Sequence, residues 1–332
     1  MQFLCNNKNA TSFILKGWEL MILLNSAQSI LSIVFMIGIG YILSRKGWFN
    51  EDTSKLFSKL VINISLPAMM ITNIIGTFTK ENLSQAGIGL LIPFISVVLS
   101  YILGVCVSKL IKVSPKRRGT FQCMFFLSNT IFIGLPVNLA LFGEASMPFV
   151  LYYYFSNTTI FWTLGIYIIQ KDGGFKSKNM VSLSNLKKIF TPPLMGFIFA
   201  IICVLLDIKL PRFVLDSCKY IGNLTTPLSM FFIGIVIKTI NFKNFKFDKD
   251  MFWVMVGRFI VCPLITYLTS NALNAPTLMK NVFIIQAALP VMANTAIVTK
   301  EYNADYEYAA VMIALTTIAS LAFIPIYRFL LG

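Results

Sequence analysis

The sequence predicts an all-α polytopic membrane protein with ten transmembrane helices, arranged as two inverted repeats of five helices each. Three observations lead to this fold class. The chain of 332 residues is 57% hydrophobic and only 12% charged, about half the charged fraction of a soluble domain. Apolar runs of about 20 residues, each long enough to cross a bilayer, recur along the whole chain. A proline motif also occurs once in each half.

Apolar runs between charged or turn-rich breaks place the ten helices. Their predicted limits are 22–44, 54–76, 87–111, 119–141, 147–170, 190–207, 213–239, 251–272, 281–299 and 306–330. Residues 1–20 lack the features of a signal peptide, so they form an N-terminal extension. The first repeat is then 21–170, and a short basic cytoplasmic linker, 171–189, joins it to the second repeat, 190–332.

The distribution of lysine and arginine orients these helices. With the N-terminus outside, the cytoplasmic loops hold 19 of the 28 basic residues, the outer side holds 8, and Arg258 lies within a span. This asymmetry follows the positive-inside rule, so both termini are expected outside the cytoplasm. The short loops suit a bacterial inner membrane. Because orientation against anionic lipid explains the basic residues, the lipid bilayer is an expected partner and nucleic acid is not.

The residues that the chain lacks narrow its chemistry. It has six cysteines without a CxxC pair and no histidine, so no metal site, cofactor or disulfide framework is predicted. No aspartate or glutamate lies deep within a predicted span, which disfavours ion coupling through a buried carboxylate. An intramembrane hydrolase would need such a group or a nucleophile with its base. The chain is therefore not expected to be an enzyme.

The second and seventh predicted helices carry related segments around a proline. "NISLPAMM" begins at Asn63 and "NLTTPLSM" at Asn223, and each has its proline (Pro67 or Pro227) four residues later. Proline removes a backbone donor from a helix and clashes with the carbonyl four residues back, so both prolines predict helix kinks. Since the two motifs lie five spans apart, the two halves have opposite orientations, as in many secondary transporters.

The fourth and ninth predicted helices combine proline with Asn-Thr pairs in apolar surroundings. Their candidate residues are Asn129, Thr130, Pro136 and Asn138 in the fourth helix, and Gln286, Pro290, Asn294 and Thr295 in the ninth. Such segments lose regular hydrogen bonding, which a membrane tolerates where the backbone lines a cavity. Both helices are therefore predicted to be broken and to bind a substrate. The alternative, that these polar side chains only join neighbouring helices, stays open for each residue.

Several segments, in order along residues 22–332, resemble the auxin efflux carrier family of bacterial malate permease-like carriers and plant PIN auxin exporters. They include "IGIGYILSRKGWFNED", "LPAMMITNI", "NTIFIGLPVNLALFGE", "TPPLMGFIFAII", "PLSMFFIGIVI" and "ALPVMANTAIVTKEYNAD". The resemblance implies a scaffold of helices 1, 2, 6 and 7 and a transport domain of helices 3–5 and 8–10. Helices 4 and 9 would cross within the transport domain, as in NhaA-like and bile-acid-symporter-like folds. The family's crossover proline matches Pro136, whereas the plant-type proline of the ninth helix falls at Thr295.

The resemblance also implies a function. It indicates a secondary transporter of small organic anions, such as malate or other carboxylates, that works by an elevator movement and forms a homodimer. Two alternatives stay open: a sodium-coupled bile-acid-type symporter, and a membrane sensor that binds its ligand without transporting it.

A crossover directs helix N-termini, each with about half a positive charge, toward a common point that suits a carboxylate. Asn129, Thr130, Asn294 and Thr295 would then supply hydrogen bonds. Asn63 and Asn223 are expected either to contact the substrate from the scaffold or only to repair the kinks beside them. Arg258 is expected either to bind the anion or, by a small preference, to extend toward the cytoplasmic interface.

Overall fold

The structure, a computed structural model, describes residues 31–77, 86–174, 190–239 and 247–331. Within them the regular elements are helices, and the β-type pairing is one isolated antiparallel bridge between Ser128 and Val291. Five helices in this part of the chain are long and apolar enough to cross a membrane: Glu51–Gly76, Gly89–Leu110, Arg212–Lys238, Lys249–Ala272 and Tyr306–Leu330. An all-helical membrane protein is thereby confirmed, and the ten-span inverted repeat stays a prediction.

We number the helices after the predicted spans that contain them. The first half has α1 (Leu31–Arg45), α2 (Glu51–Leu60, Val61–Ser65 and Leu66–Thr77), α3 (Ala86–Leu110), α4a (Arg118–Phe126), α4b (Gly134–Phe142) and α5 (Met147–Ile160, Phe161–Gly165 and Ile166–Asp172). The second half has α6 (Pro192–Leu205), α7a (Arg212–Gly222), α7b (Thr225–Thr239), α8 (Lys249–Val256, Gly257–Val261 and Cys262–Ala272), α9a (Thr277–Ala287), α9b (Asn294–Glu301) and α10 (Tyr306–Leu330). The predicted extension 1–20 and residues 175–189 of the linker lie outside the described residues.

Helix α2 is irregular just before Pro67. Residues Val61–Ser65 form a π-helical turn, in which the Leu66 N–H donates to the Val61 carbonyl. Pro67 has no N–H and cannot donate a helical hydrogen bond. The wider π-helical turn before it accommodates this missing bond. The Asn63 side chain contributes one further bond, from its amide nitrogen to the Lys59 carbonyl at 2.9 Å.

Helix α7 is irregular at the matching place. Helix α7a ends at Gly222, a turn follows at Asn223 and Leu224, and Pro227 is the third residue of α7b. The segments before the two irregularities, Glu51–Leu60 and α7a, are both amphipathic and bury almost none of their residues. Helices α2 and α7 therefore share one order of features: an amphipathic segment, an irregularity, a proline and an apolar segment.

Glycines allow very close contacts within two groups of helices. In the first group, formed by α1, α2, α6 and α7, a Cβ on Gly40 would lie 2.6 Å from the Phe231 carbonyl oxygen, and one on Gly196 would lie 2.8 Å from Cα of Pro67. In the second group, formed by α3, α4, α5, α8, α9 and α10, Gly119 packs on the backbone of Ile168. Because backbone cannot yield to a side chain, these contacts tie the helices of each group together.

The two groups meet across an apolar surface. Buried residues of α4b and α9a pack there against α1, α2 and α7b. The Phe132 ring, in the segment between α4a and α4b, stacks on the Phe232 ring of α7b, with centroids 4.9 Å apart. Side-chain hydrogen bonds between the groups include Asn73 to Met147 and Tyr154 to Thr191. The contact between the groups is thus mainly van der Waals packing.

Candidate functional site

Two extended segments cross where α4 and α9 are interrupted. The helices stop at Phe126 and Ala287 and resume at Gly134 and Asn294. Between these points the Asn129 N–H donates to the Pro290 carbonyl at 2.9 Å, and the Met292 N–H donates to the Leu127 carbonyl at 3.3 Å. These bonds replace helical bonds that the interruptions remove, as an apolar environment demands. We call residues 127–133 and 288–293 the crossover.

Side chains from neighbouring helices satisfy other backbone groups of the crossover. Asn157 of α5 pairs twice with Ser128, accepting from its N–H at 3.1 Å and donating to its carbonyl at 3.0 Å. The Thr316 hydroxyl of α10 accepts from the Val291 N–H at 3.1 Å. Neither Asn157 nor Thr316 was among the predicted site residues. Their roles depend on which backbone groups the interruptions leave unpaired, and the sequence does not reveal this.

Three of the predicted substrate-binding residues carry polar side chains without a hydrogen-bond partner in the described part of the chain. Asn129 and Thr130 are only 6% and 3% exposed, and Asn294, the first residue of α9b, is half-buried. Their polar atoms still reach open space, since none of them is among the fully enclosed unpaired atoms. The three side chains are therefore free to bind a ligand at the crossover.

Further polar atoms near the crossover are fully enclosed and unpaired. They are Ser128 Oγ, Asn138 Oδ1, Gln286 Oε1 and Thr295 Oγ1. The amide nitrogens of two of these residues are engaged, with Asn138 donating to the Gly134 carbonyl at 2.7 Å and Gln286 donating to the Thr130 carbonyl at 3.3 Å. A buried polar atom without a partner costs about 1–3 kcal/mol. Rearrangement around a ligand that pairs these atoms would recover part of that cost.

The two predicted prolines have distinct positions here. Pro290 lies in the crossing itself and offers its carbonyl to Asn129. Pro136 is buried in the first turn of α4b, where a missing N–H costs little because helical N–H groups have no intrahelical partner there. Gly134 begins α4b and packs against the Gln286 side chain, so a larger residue would displace that amide.

The predicted scaffold residues Asn63 and Asn223 are both exposed. Asn63 donates to the Lys59 carbonyl within its own helix, and Asn223 lies in the turn between α7a and α7b. Neither forms a hydrogen bond to a crossover residue in the described part of the chain. The geometry of Asn63 matches repair of the helix irregularity.

Arg258 does not extend toward the cytoplasmic interface, so that expectation was wrong. Its side chain is 0% exposed. Its Nε donates to the Leu289 carbonyl at 3.1 Å, Nη1 to the Phe125 carbonyl at 3.4 Å, and Nη2 to the Ala287 carbonyl. Phe125 and Ala287 lie in the last turns of α4a and α9a, where no intrahelical donor is available, and Leu289 lies in the crossover. The three carbonyls hold the guanidinium inside the protein.

Comparison with known proteins now identifies the family. A family model described as membrane transport protein matches residues 26–328, which is nearly the whole chain. The chain belongs to this family, the auxin efflux carrier family. Membership makes the protein a membrane transporter and not an enzyme.

Relatives of this auxin efflux carrier family member carry the word transporter in their names. An uncharacterized transporter of Methanocaldococcus jannaschii, MJ1031, is 27% identical over 313 residues, covering 91% of this chain and 97% of the relative. One of Methanothermobacter thermautotrophicus is 25% identical over 320 residues, covering 94% and 100%. The uncharacterized transporter YfdV of Escherichia coli is 19% identical over 301 residues, covering 90% and 95%.

Proposed function

We propose that this transporter moves small organic anions, such as malate or other carboxylates, and binds them at the crossover. The observation that carries the proposal is a set of amide and hydroxyl groups, at Asn129, Thr130 and Asn294 beside two helix N-termini, that no described residue pairs with. In the described residues no group of three or more histidine, cysteine or acidic side chains is placed to hold a metal ion. The groups that are present suit a ligand that accepts hydrogen bonds.

A carboxylate matches these groups chemically. Its two oxygens accept hydrogen bonds, and the amides of Asn129 and Asn294 and the hydroxyl of Thr130 donate them. Hydrogen bonds to a charged acceptor are stronger than those between neutral groups. The N-termini of α4b and α9b add partial positive charge at the same place. These donors and helix N-termini would therefore bind a carboxylate without a lysine side chain in contact with it.

The proposed movement is an elevator, in which α3–α5 and α8–α10 slide past α1, α2, α6 and α7. Two features support it. Close glycine contacts tie helices together within each group, and the surface between the groups is mainly apolar. An apolar surface with few directional bonds allows sliding at a lower cost than a surface with many hydrogen bonds, which would have to break together.

We further propose the localisation, topology and oligomeric state of the transporter. The distribution of basic residues supports a cell inner membrane with both termini outside the cytoplasm. The proposed assembly is a homodimer, as the family resemblance implies. The division into two inverted repeats is supported by the shared order of features in α2 and α7.

A flux screen in proteoliposomes tests the proposed function. The purified protein is reconstituted under a set membrane potential and offered labelled mono- and dicarboxylates, together with the uncharged amide of each acid. We expect uptake of at least one acid above that of protein-free liposomes, with its amide transported poorly, and no effect when sodium is replaced by choline. Binding of an acid without flux would favour a sensor, and sodium-dependent flux would favour the symporter alternative.

A further inference from the structure

Arg258 is a buried cation that has no acidic partner in the ranges that the structure describes. Its guanidinium is fully enclosed, and it bonds to the backbone carbonyls of Phe125, Ala287 and Leu289. Arginine stays protonated even when it is buried. In the described part of the chain no carboxylate forms an ion pair with it. Among the described residues, the positive charge is thus balanced by carbonyl dipoles at the crossover and not by a carboxylate.

Four helix ends meet at this place. Helices α4a and α9a end there, and α4b and α9b begin there. Each C-terminus carries about half a negative charge and each N-terminus about half a positive charge, so the four ends alone would nearly cancel. Arg258 donates to Phe125 of α4a and to Ala287 of α9a, both in the last turn of their helices. It therefore offsets the negative ends and leaves the two positive ends uncompensated.

We infer that Arg258 gives the crossover a net charge of about plus one and makes it selective for substrates that present a single carboxylate group to it. This inference rests on the proposed function and names the feature of the substrate that the site recognises. Arg258 acts as a positioning residue. It holds the C-terminal ends of α4a and α9a and supplies the electric field that attracts an anion. The hydrogen bonds to the substrate come from Asn129, Thr130 and Asn294.

Substitution of Arg258 distinguishes the contribution of its charge to substrate binding from the contribution of the hydrogen bonds to the substrate. For a transported acid and its matched amide, KM is measured in the wild type, in Arg258→Lys and in Arg258→Gln. A unit charge about 10 Å away in a protein interior changes binding by about tenfold or more. We therefore expect Arg258→Gln to raise the KM of the acid by about that factor and to leave the KM of the amide nearly unchanged. Arg258→Lys should retain most of the preference for the acid.

A second variant keeps the guanidinium and neutralises its charge. The Cys262 thiol donates to the Phe125 carbonyl at 3.2 Å, the same carbonyl that Arg258 contacts. A carboxylate in Cys262→Asp would lie beside the guanidinium, and Cys262→Ser is the matched neutral control. We expect Cys262→Asp to reduce the preference for the acid as Arg258→Gln does, and Cys262→Ser to behave like the wild type.

The outcomes distinguish this inference from the function on which it rests. If both Arg258 variants weaken acid and amide equally, or if Cys262→Asp keeps the full preference for the acid, Arg258 is only a structural clamp and the inference is wrong. If the wild type transports no acid at all, the proposed function itself is wrong. A variant that does not fold is recognised by gel filtration, and the Cys262 pair then decides the question.

Discussion

Replacing Asn129 or Asn294 with alanine is expected to reduce transport of the organic anion by about 10- to 100-fold in kcat/KM. Each side chain lies at or beside the crossover without a hydrogen-bond partner among the described residues, so substitution removes its hydrogen bond to a carboxylate outright. A hydrogen bond to a charged group contributes about 1.5–3 kcal/mol, which corresponds to this range of rates. Initial rates of uptake into proteoliposomes, measured over a range of substrate concentrations, check the prediction.

The same variants should fold normally. No hydrogen bond within the described protein depends on either carboxamide, so the midpoint of thermal unfolding should change little. Asn271→Ala is the matched control, because Asn271 is exposed and its carboxamide, within the described ranges, accepts from the exposed Lys280 ammonium alone. Its transport should equal that of the wild type. Unimpaired uptake in both crossover variants would contradict the assignment of these residues to the substrate.

Joining the two groups of helices covalently is expected to abolish transport. The Phe132 ring of the crossover stacks on the Phe232 ring of α7b across the apolar surface, with centroids 4.9 Å apart. Cysteines at both positions, joined by a short bifunctional thiol reagent, would prevent the groups from sliding. We expect uptake to fall to the level of protein-free liposomes after cross-linking and to recover when a cleavable linker is reduced.

A second pair of phenylalanines provides the control for cross-linking. Phe57 of α2 and Phe231 of α7b lie within one group, with ring centroids 6.5 Å apart. Linking cysteines at these positions should leave transport intact, because both helices are expected to stay together during the cycle. The wild type treated with the reagent accounts for the native cysteines. Full transport with Phe132 and Phe232 positions linked would contradict an elevator movement.

The main features of the fold could be predicted because they depend on local sequence. Helix α10 has the predicted limits, 306–330, since a long apolar run with charged residues near both ends indicates a single helix. Interruption of the fourth and ninth helices was predictable from prolines and Asn-Thr pairs, and both interruptions are present. Proline weakens a helix, but α3 and α10 continue through Pro93 and Pro325, so it is the combination of proline with an Asn-Thr pair that indicated the interruptions.

The details of the site could not be predicted because they depend on contacts between distant segments. Pairing of Asn129 with Pro290 is set by how α4 and α9 approach each other, and no local pattern encodes it. Arg258 was expected to extend to the interface because helical rise places it about 10 Å from the helix end. The carbonyls of Phe125 and Ala287 hold it inside instead.

Protection of a cysteine at the crossover by the transported anion tests the central claim most directly. Ala293 precedes α9b at the crossover and is half-buried, so a cysteine there reacts with a maleimide without removing a proposed binding group. Ala145→Cys, at an exposed position between α4b and α5, is the control. If the substrate binds at the crossover, saturating anion slows labelling at position 293 several-fold and leaves labelling at position 145 unchanged. Equal labelling of Ala293→Cys with and without the anion, in protein that still transports it, would contradict binding at this site.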